Sequence, residues 1–398
     1  MNENDTQTAN LPPLKVHSRR ERESNKCKIR AATFSPSNQW HDKIQTHFST
    51  HRTEQSTRNN PNLQTNKRNP FPCFSIDASK TPNPATPLTA ATPPLVVVGS
   101  ANADISVEID QLPIEGETIS AKSGQSLAGG KGANQAARGG KVSYPTYFVG
   151  QVGEDAHGKL IAEALERCGV RLDCLSAVSG APTGHAVVML QSDGQNSIII
   201  VGGATIKCCS ERISDEDLKL VNNAGIVLLQ REIPESVNVQ VAKFVDENVV
   251  GRSKCRCIPV ILDAGGMDSP ISQEGLNFVD ILSPNETELG RLTGMPTETF
   301  EQISNAVVKC HKMGVKQVLV KLGDKGSALF VESKEPPKQP FIPAAKVLDT
   351  TGAGDTFTAS FRGGSWMATA AASLCVQVKG AIPSMPERKS VLNLLQSL

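Results

Sequence analysis

A carboxylate stands directly behind a Gly-Ala-Gly turn in Asp349-Thr350-Thr351-Gly352-Ala353-Gly354-Asp355-Thr356-Phe357, and two hydroxyls precede the turn. Glycines let several backbone N–H groups converge on one anion, and a helix beginning near Gly352 aims its positive end at the same point. Gly352, Ala353 and Gly354 therefore read as a phosphate cradle. Asp355, at its lip, stands where an incoming hydroxyl would meet a phosphoryl group, which is the position a general base needs. A Gly-rich turn capped by Thr and Asp is the bland reading of the same residues.

Two upstream stretches add to it: Val96-Val97-Val98-Gly99-Ser100-Ala101-Asn102-Ala103-Asp104 and Leu127-Ala128-Gly129-Gly130-Lys131-Gly132-Ala133-Asn134-Gln135-Ala136-Ala137. Asn102 and Asp104 follow an apolar run and should rise from the carboxyl end of a strand, although a turn-capping Asp has the same signature. In order and spacing the three elements resemble the ribokinase-like (PfkB-type) carbohydrate kinases, and the resemblance spans about residues 95 to 398.

That resemblance implies ATP-dependent transfer of a phosphoryl group to a primary hydroxyl, with Asp355 as base and Gly352–Asp355 as anion hole. GGKGANQAA with N-x-D favours O5 of D-ribose over fructose or adenosine as acceptor. It implies sugar contacts from Asn102, Asp104, Gly130, Lys131, Gly132, Ala133, Asn134 and Glu232. ATP would lie against Asn285, Lys321, Leu322, Gly323, Asp324, Lys325, Gly326, Gly354 and Asp355. Glu288, in Asn285-Glu286-Thr287-Glu288, would hold Mg²⁺ through water, although Pro-Asn-Glu also describes an ordinary helix cap. Asp349, Thr351, Cys375, Val378, Gly380 and Ser384 would hold K⁺ beside the anion hole. A catalytically dead relative serving as a scaffold is the competing reading from another class.

The elements that must position these residues can be read next. Short apolar runs recur at 94–99, 147–150, 226–230, 260–263, 281–283 and 318–321, alternating with helical stretches at 158–168, 236–246, 286–293 and 300–313. Such alternation predicts a three-layer α/β fold, a mainly parallel sheet with helices on both faces and ligands at the carboxyl ends of the strands. Period-2 patterning over 105–127 and 184–201, the latter around Asp193-Gly194, predicts a small antiparallel sheet or extra edge strands. The resemblance makes that sheet a lid over the sugar and the seam of a homodimer.

Some residues depart from the family pattern. Arg138-Gly139-Gly140 is expected to interrupt the helix after GGKGANQAA, Thr205 replaces an Asn, and 248–257 reads as an extra polar loop. The connection after Phe361, Arg362-Gly363-Gly364-Ser365-Trp366-Met367-Ala368-Thr369, is shorter than expected, so a helix should end near Phe361.

Charge divides the chain of 398 residues into two parts. Residues 1–94 hold 13 Lys and Arg against 7 Asp and Glu, leaving 28 against 33 for the remainder, so the net +1 hides a basic leader and an acidic body. The leader lacks apolar periodicity and is rich in Asn, Ser, Thr and Pro, which predicts disorder and suits a plastid transit peptide. An ordinary tail, on a cytoplasmic protein, has the same composition. No run is long and apolar enough for a membrane span. The acidic body with 4 % aromatics argues against nucleic acid. Ten cysteines include only two close pairs, Cys208-Cys209 and Cys255-Arg256-Cys257, neither with zinc spacing, so free thiols are expected.

Overall fold

A computed structural model describes residues 92–398 apart from 193–195, 208–212, 250–257, 267–269, 333 and 335. Expectations for the leader over 1–91, the turn at Asp193-Gly194 and both close cysteine pairs lie outside the described residues, as does the loop expected over 248–257 except for its first two residues, which belong to the helix Glu235–Val249. The four described cysteines, Cys168, Cys174, Cys310 and Cys375, are free thiols.

In chain order the strands are β1 (Leu95–Val98), β2 (Asn102–Ile109), β3 (Ser123–Gly129), β4 (Thr146–Gly153), β5 (Val170–Val178), β6 (Gly184–Gln191), β7 (Asn196–Val201), β8 (Ile226–Arg231), β9 (Val260–Gly266), β10 (Ile281–Ser283), β11 (Gln317–Lys321), β12 (Ser327–Val331) and β13 (Lys338–Gln339). The helices are α1 (Lys131–Lys141), α2 (Ala156–Arg167), α3 (Gly203–Lys207), α4 (Asp215–Asn222), α5 (Glu235–Val249), α6 (Gln273–Asn277), α7 (Glu286–Thr293), α8 (Phe300–Lys312), α9 (Ala353–Ser360), α10 (Ser365–Cys375), α11 (Ala381–Ser384) and α12 (Arg388–Gln396).

The larger sheet has the order β13-β12-β11-β10-β9-β8-β1-β4-β5. It is parallel from β11 to β5 and antiparallel only where β12 and β13 are added. β1 shows why its sequence is apolar throughout rather than alternating. Val96 and Val98 enter the core on one face of the sheet, while Leu95 and Val97 enter the core on the other. A strand covered on both faces has no position for a polar side chain, and burying each such residue contributes about 1.5–3 kcal/mol.

The smaller sheet, ordered β3-β2-β6-β7, differs from expectation in one pairing. β2 with β3 and β6 with β7 are antiparallel, but β2 and β6 run parallel, from Asn102 opposite Gly184 to Ile109 opposite Gln191. The long path through α1, β4, α2 and β5 returns the chain to the same end before β6 begins. That is the condition for parallel neighbours, whereas a tight turn would have imposed the antiparallel arrangement.

A second correction concerns Arg138-Gly139-Gly140. α1 runs through all three residues and is almost wholly buried. The glycines are a packing requirement, because a methyl on Gly140 would lie 2.2 Å from the Cys168 carbonyl oxygen. Thr205, the other departure, is buried and donates to the Gln151 carbonyl at 3.2 Å. As expected, α9 ends at Ser360, and a single 3₁₀ turn, Phe361–Gly363, leads into α10.

Helix propensity and packing give opposite signs for Gly140→Ala. Propensity alone favours Ala by about 1 kcal/mol; the clash with backbone at 2.2 Å predicts net destabilisation of about 1–3 kcal/mol. Urea unfolding decides between them, and a Gly140→Ala chain as stable as the parent would refute the packing account.

Candidate active site

The carboxyl ends of β1, β8, β9, β10 and β11 lie along one edge of the larger sheet, and each releases a polar group there. After β1 comes Ser100, followed by Asn102 and Asp104, which lie in the first residues of β2 in the smaller sheet rather than at the end of β1 itself, and after β8 comes Glu232. β9 ends with Asp263-Ala264-Gly265-Gly266, β10 leads into Asn285 and Glu288, and β11 ends at Lys321. Helices α1 and α9 start at the same edge.

Both helices begin without a side-chain cap. Gly130 (φ 88°) precedes α1, and Gly352, in the left-handed region (φ 78°), precedes α9. Around α1 the close approach is extreme, since a methyl on Gly132 would lie 2.6 Å from the Ser100 nitrogen. The first-turn N–H groups of α1 are taken up within the protein: Lys131 N donates to Glu232 Oε2 at 3.0 Å, and Ala133 N donates to the Ser100 carbonyl at 2.9 Å. Ser100 Oγ donates to the same Glu232 oxygen at 2.6 Å. At α9, Ala353 N donates to the Thr350 carbonyl at 3.2 Å. The next two N–H groups, of Gly354 and Asp355, are in the first helical turn and have no intrahelical acceptor, which is the arrangement that binds anions.

Asp355 is buried at the head of α9 and is the most elaborately held side chain of the site. Asn134 Nδ2 donates to its Oδ2 at 2.9 Å, Gln135 Nε2 donates to its Oδ1 at 3.3 Å, and Lys131 Nζ stands 3.7 Å from Oδ1. Gln230 Nε2 in turn donates to Gln135 Oε1 at 2.8 Å, which fixes the orientation of that amide. Burial pushes the Asp355 carboxyl up, Lys131 opposes it, and Asp263 and Glu232 push it further. Lys131 is held above its ordinary range, first by Asp355 and then by Asp263, Glu232 and Glu288, with burial opposing. One ammonium thus serves several carboxylates.

On the sugar side of the expectation, Asp104 is pushed up to about 7 by burial, with Glu232 and Asp355 adding repulsion. The buried oxygens Asn102 Oδ1 and Asn134 Oδ1 have no hydrogen-bond partner within the protein. Unpaired buried acceptors beside a carboxylate are the chemistry a polyol would satisfy. Asn102, Asp104, Lys131, Asn134 and Glu232 are therefore together, as the sequence suggested, and Gly130, Gly132 and Ala133 form the backbone that turns α1 into the site.

On the other side, Lys321 Nζ donates to Asp263 Oδ2 at 2.9 Å, and Thr358 Oγ1 donates to the same oxygen at 2.9 Å. Burial pushes Asp263 up, but Lys321 and Lys131 more than reverse it and hold the carboxyl below its usual range. Asp263, Gln135, Gln230 and Ser100 were not singled out from the sequence. An acid closing an apolar strand before Gly-Gly was the available signal for Asp263; nothing in the local pattern marks the two glutamines.

Lys321, which the resemblance places against ATP, reaches with its ammonium towards the start of α9, 3.8 Å from where a methyl on Gly354 would be. Leu322 is buried, and Gly323–Lys325 forms a 3₁₀ turn ending at Gly326 (φ 91°). Asn285 and Glu288 do form the capping box that was the alternative reading. Glu288 N donates to Asn285 Oδ1 and Asn285 N donates to Glu288 Oε2, each at 2.8 Å. Capping leaves Glu288 Oε1 free to face Gly265, where an added methyl would lie 2.8 Å from it and 2.6 Å from Lys131 Nζ.

Beside the anion hole, Asp349 ties two loops together. Its Oδ1 accepts from Thr351 N at 2.8 Å and its Oδ2 from Gly380 N at 2.7 Å. Cys375 Sγ lies 3.0 Å from Ser384 Oγ, and Val378 N donates to the Cys375 carbonyl at 3.2 Å. The six residues of the expected cation set thus come from the loop before α9 and from the segment that runs from the end of α10 through α11.

The model for the pfkB family of carbohydrate kinases matches residues 93–388. Over 364 residues the chain is 65 % identical to a ribokinase of Arabidopsis thaliana, across 85 % of this chain and 94 % of that protein. It is 33 % identical over 313 residues to a ribokinase of Bacillus subtilis, across 76 % of this chain and 99 % of that one. The solved structure of Arabidopsis thaliana ribokinase complexed with ribose and ATP is similar with a TM-score of 0.72 and 69 % identity, covering 77 % of this chain and 99 % of that chain. A ribokinase structure from Thermotoga maritima gives a TM-score of 0.66 at 33 % identity, covering 76 % of this chain and 99 % of that chain. With the family model matched from β1 to the start of α12 and relatives this close, the chain belongs to the pfkB family of carbohydrate kinases.

Proposed function

We propose that this chain transfers the γ-phosphoryl group of ATP to O5 of D-ribose, giving ribose 5-phosphate and ADP. One observation carries the reading: Asp355 is buried at the uncapped start of α9, between a polyol-like set of acceptors and the Lys321 ammonium. Asn102, Asp104, Asn134 and Glu232 orient the sugar so that its primary hydroxyl meets Asp355. Asp355 takes the proton as the oxygen attacks phosphorus, and the N–H groups of Gly354 and Asp355 stabilise the charge on the phosphoryl oxygens. Gly323–Gly326 line the nucleotide. The ribose and ATP complex of the Arabidopsis relative supports the choice of both substrates.

The donors present fit the expected ions. Glu288 Oε1 offers a single carboxylate oxygen, which suits Mg²⁺ carried on the nucleotide with waters retained. When bound, the ion neutralises phosphate charge. Asp349 with the carbonyl-rich loops of Thr351, Cys375, Val378, Gly380 and Ser384 offers only hard oxygen donors besides the thiol, which suits K⁺. It would order the loop that carries the anion hole. We also assign β2, β3, β6 and β7 as a lid through which two copies pair, since Ile198, Ile199 and Ile200 on the edge strand are 54–58 % exposed. Residues 1–94 are assigned as a plastid address ahead of a kinase domain over 95–398. Sedimentation of the full chain and a fluorescent fusion of 1–94 read these two assignments, and a monomer or a cytosolic fusion removes them.

Asp355→Asn is expected to lower kcat about 10³-fold while ribose affinity by calorimetry changes little, because the carboxylate acts on the proton in flight. Loss of affinity in parallel with rate would make Asp355 a binding residue. In the parent chain, ADP release should be fastest with ribose among ribose, 2-deoxyribose, fructose and adenosine, and turnover with none of them refutes the function.

A carboxyl raised from 3.8 to about 7 costs the folded state most when ionised, so its penalty grows as pH rises and is complete above about 7. Asp104→Asn should therefore stabilise the free protein more at about pH 8 than at about pH 4, by a few kcal/mol. In the parent, KM for ribose should fall as pH rises through about 7, and this dependence should vanish in Asp104→Asn. A pH-independent stability difference would refute the burial of charge at Asp104.

A further inference from the structure

α9 is short and ends at Ser360. Beyond Ser360 the chain turns through Phe361–Gly363, and beside this turn is a cavity of about 290 Å³ at whose bottom lie the buried side chains of Leu95, Ile226 and Leu228, from β1 and β8. The walls are the C-terminal half of α1, the end of α9, Met367 and the start of α12. It lies at the opposite ends of α1 and α9 from those that build the active site.

The charge on this cavity is all of one sign. Arg138, Arg362 and Arg388 line it, and no Asp or Glu does. Among the described residues none of the three makes an ion pair with a carboxylate. Arg138 is fully buried; it donates from Nε to Ser360 Oγ at 2.7 Å and from Nη1 to the Pro386 carbonyl, and its Nη2 has no partner. Burial pulls it down to about 10, as befits a guanidinium without a counter-anion. Arg362 lies over the Tyr144 ring, 4.5 Å from its centroid. Arg388 begins α12, half-buried at the rim.

A buried cation is normally balanced by an anion, and arginine forks match carboxylates in particular. An apolar floor calls for hydrocarbon, and Met367 can adapt to its shape. We propose that this cavity is a binding site for a small amphipathic carboxylate, its head among Arg138, Arg362 and Arg388 and its apolar body on Leu95, Ile226 and Leu228. The inference stands on this cavity alone and does not depend on the substrate assigned to the active site.

The test is calorimetric titration of the full chain with hexanoate, 1-hexanol and inorganic phosphate, together with melting temperatures. Hexanoate should bind saturably and raise the melting temperature. The neutral alcohol and free phosphate should each bind about tenfold more weakly or worse, since each lacks one half of the recognition. Arg388→Gln, which removes a charge without a partner in the fold, should weaken hexanoate about tenfold. Ala359→Phe, which fills the cavity from α9, should abolish binding; should that variant fail to fold, Arg388→Gln decides. Absence of saturable hexanoate binding to the parent, equal affinity for 1-hexanol or phosphate, or affinity unchanged in Arg388→Gln overturns the proposal.

Discussion

The pair between Lys131 and Asp355 is the contact on which the rest of the site depends. Asp355 is buried, and Asp263 and Glu232 repel it, so by itself it would be driven towards the neutral acid. The Lys131 ammonium, 3.7 Å away, opposes that drive and is itself drawn on by Asp263, Glu232 and Glu288. Neither residue is near the other in sequence. They meet because α1 and α9 both start at the carboxyl edge of the sheet.

Bringing two helix starts to one point demands close backbone contact. Gly132 lets α1 lie against the end of β1, and Gly352 in the left-handed conformation turns the chain into α9, against Ala381. The buried amides then lock the side chains: Gln230 holds Gln135, and Gln135 with Asn134 holds Asp355. Such a network is costly when half-satisfied. Within the protein this network is left incomplete at Asn134 Oδ1 and Gln230 Oε1, and Asn102 Oδ1 also has no partner.

Much of this was legible in the chain wherever the signal is contiguous. The cradle and its acid occupy adjacent positions, and β1 is wholly apolar because it is covered on both faces. Long-range features were less visible. β5 alternates irregularly between buried and exposed positions as an edge strand, and the parallel pairing of β2 with β6 depends on a crossover that no local pattern records. Gly139 and Gly140 looked like helix breakers because propensity is local, whereas the contact with Cys168 that requires Gly140 is tertiary. Asn285 and Glu288 were ambiguous between cap and ligand. The fold makes them a cap and leaves one Glu288 oxygen over.

The most direct test of the Lys131–Asp355 coupling is a carbon-13 NMR titration of the Asp355 carboxyl in the parent chain and in Lys131→Met. Removing the ammonium leaves burial, Asp263 and Glu232 unopposed, so the Asp355 midpoint should move to higher pH in the variant. A midpoint that stays where it was, in a variant that remains folded, would contradict the claim that Lys131 opposes the upward push of burial, Asp263 and Glu232 on the Asp355 carboxyl.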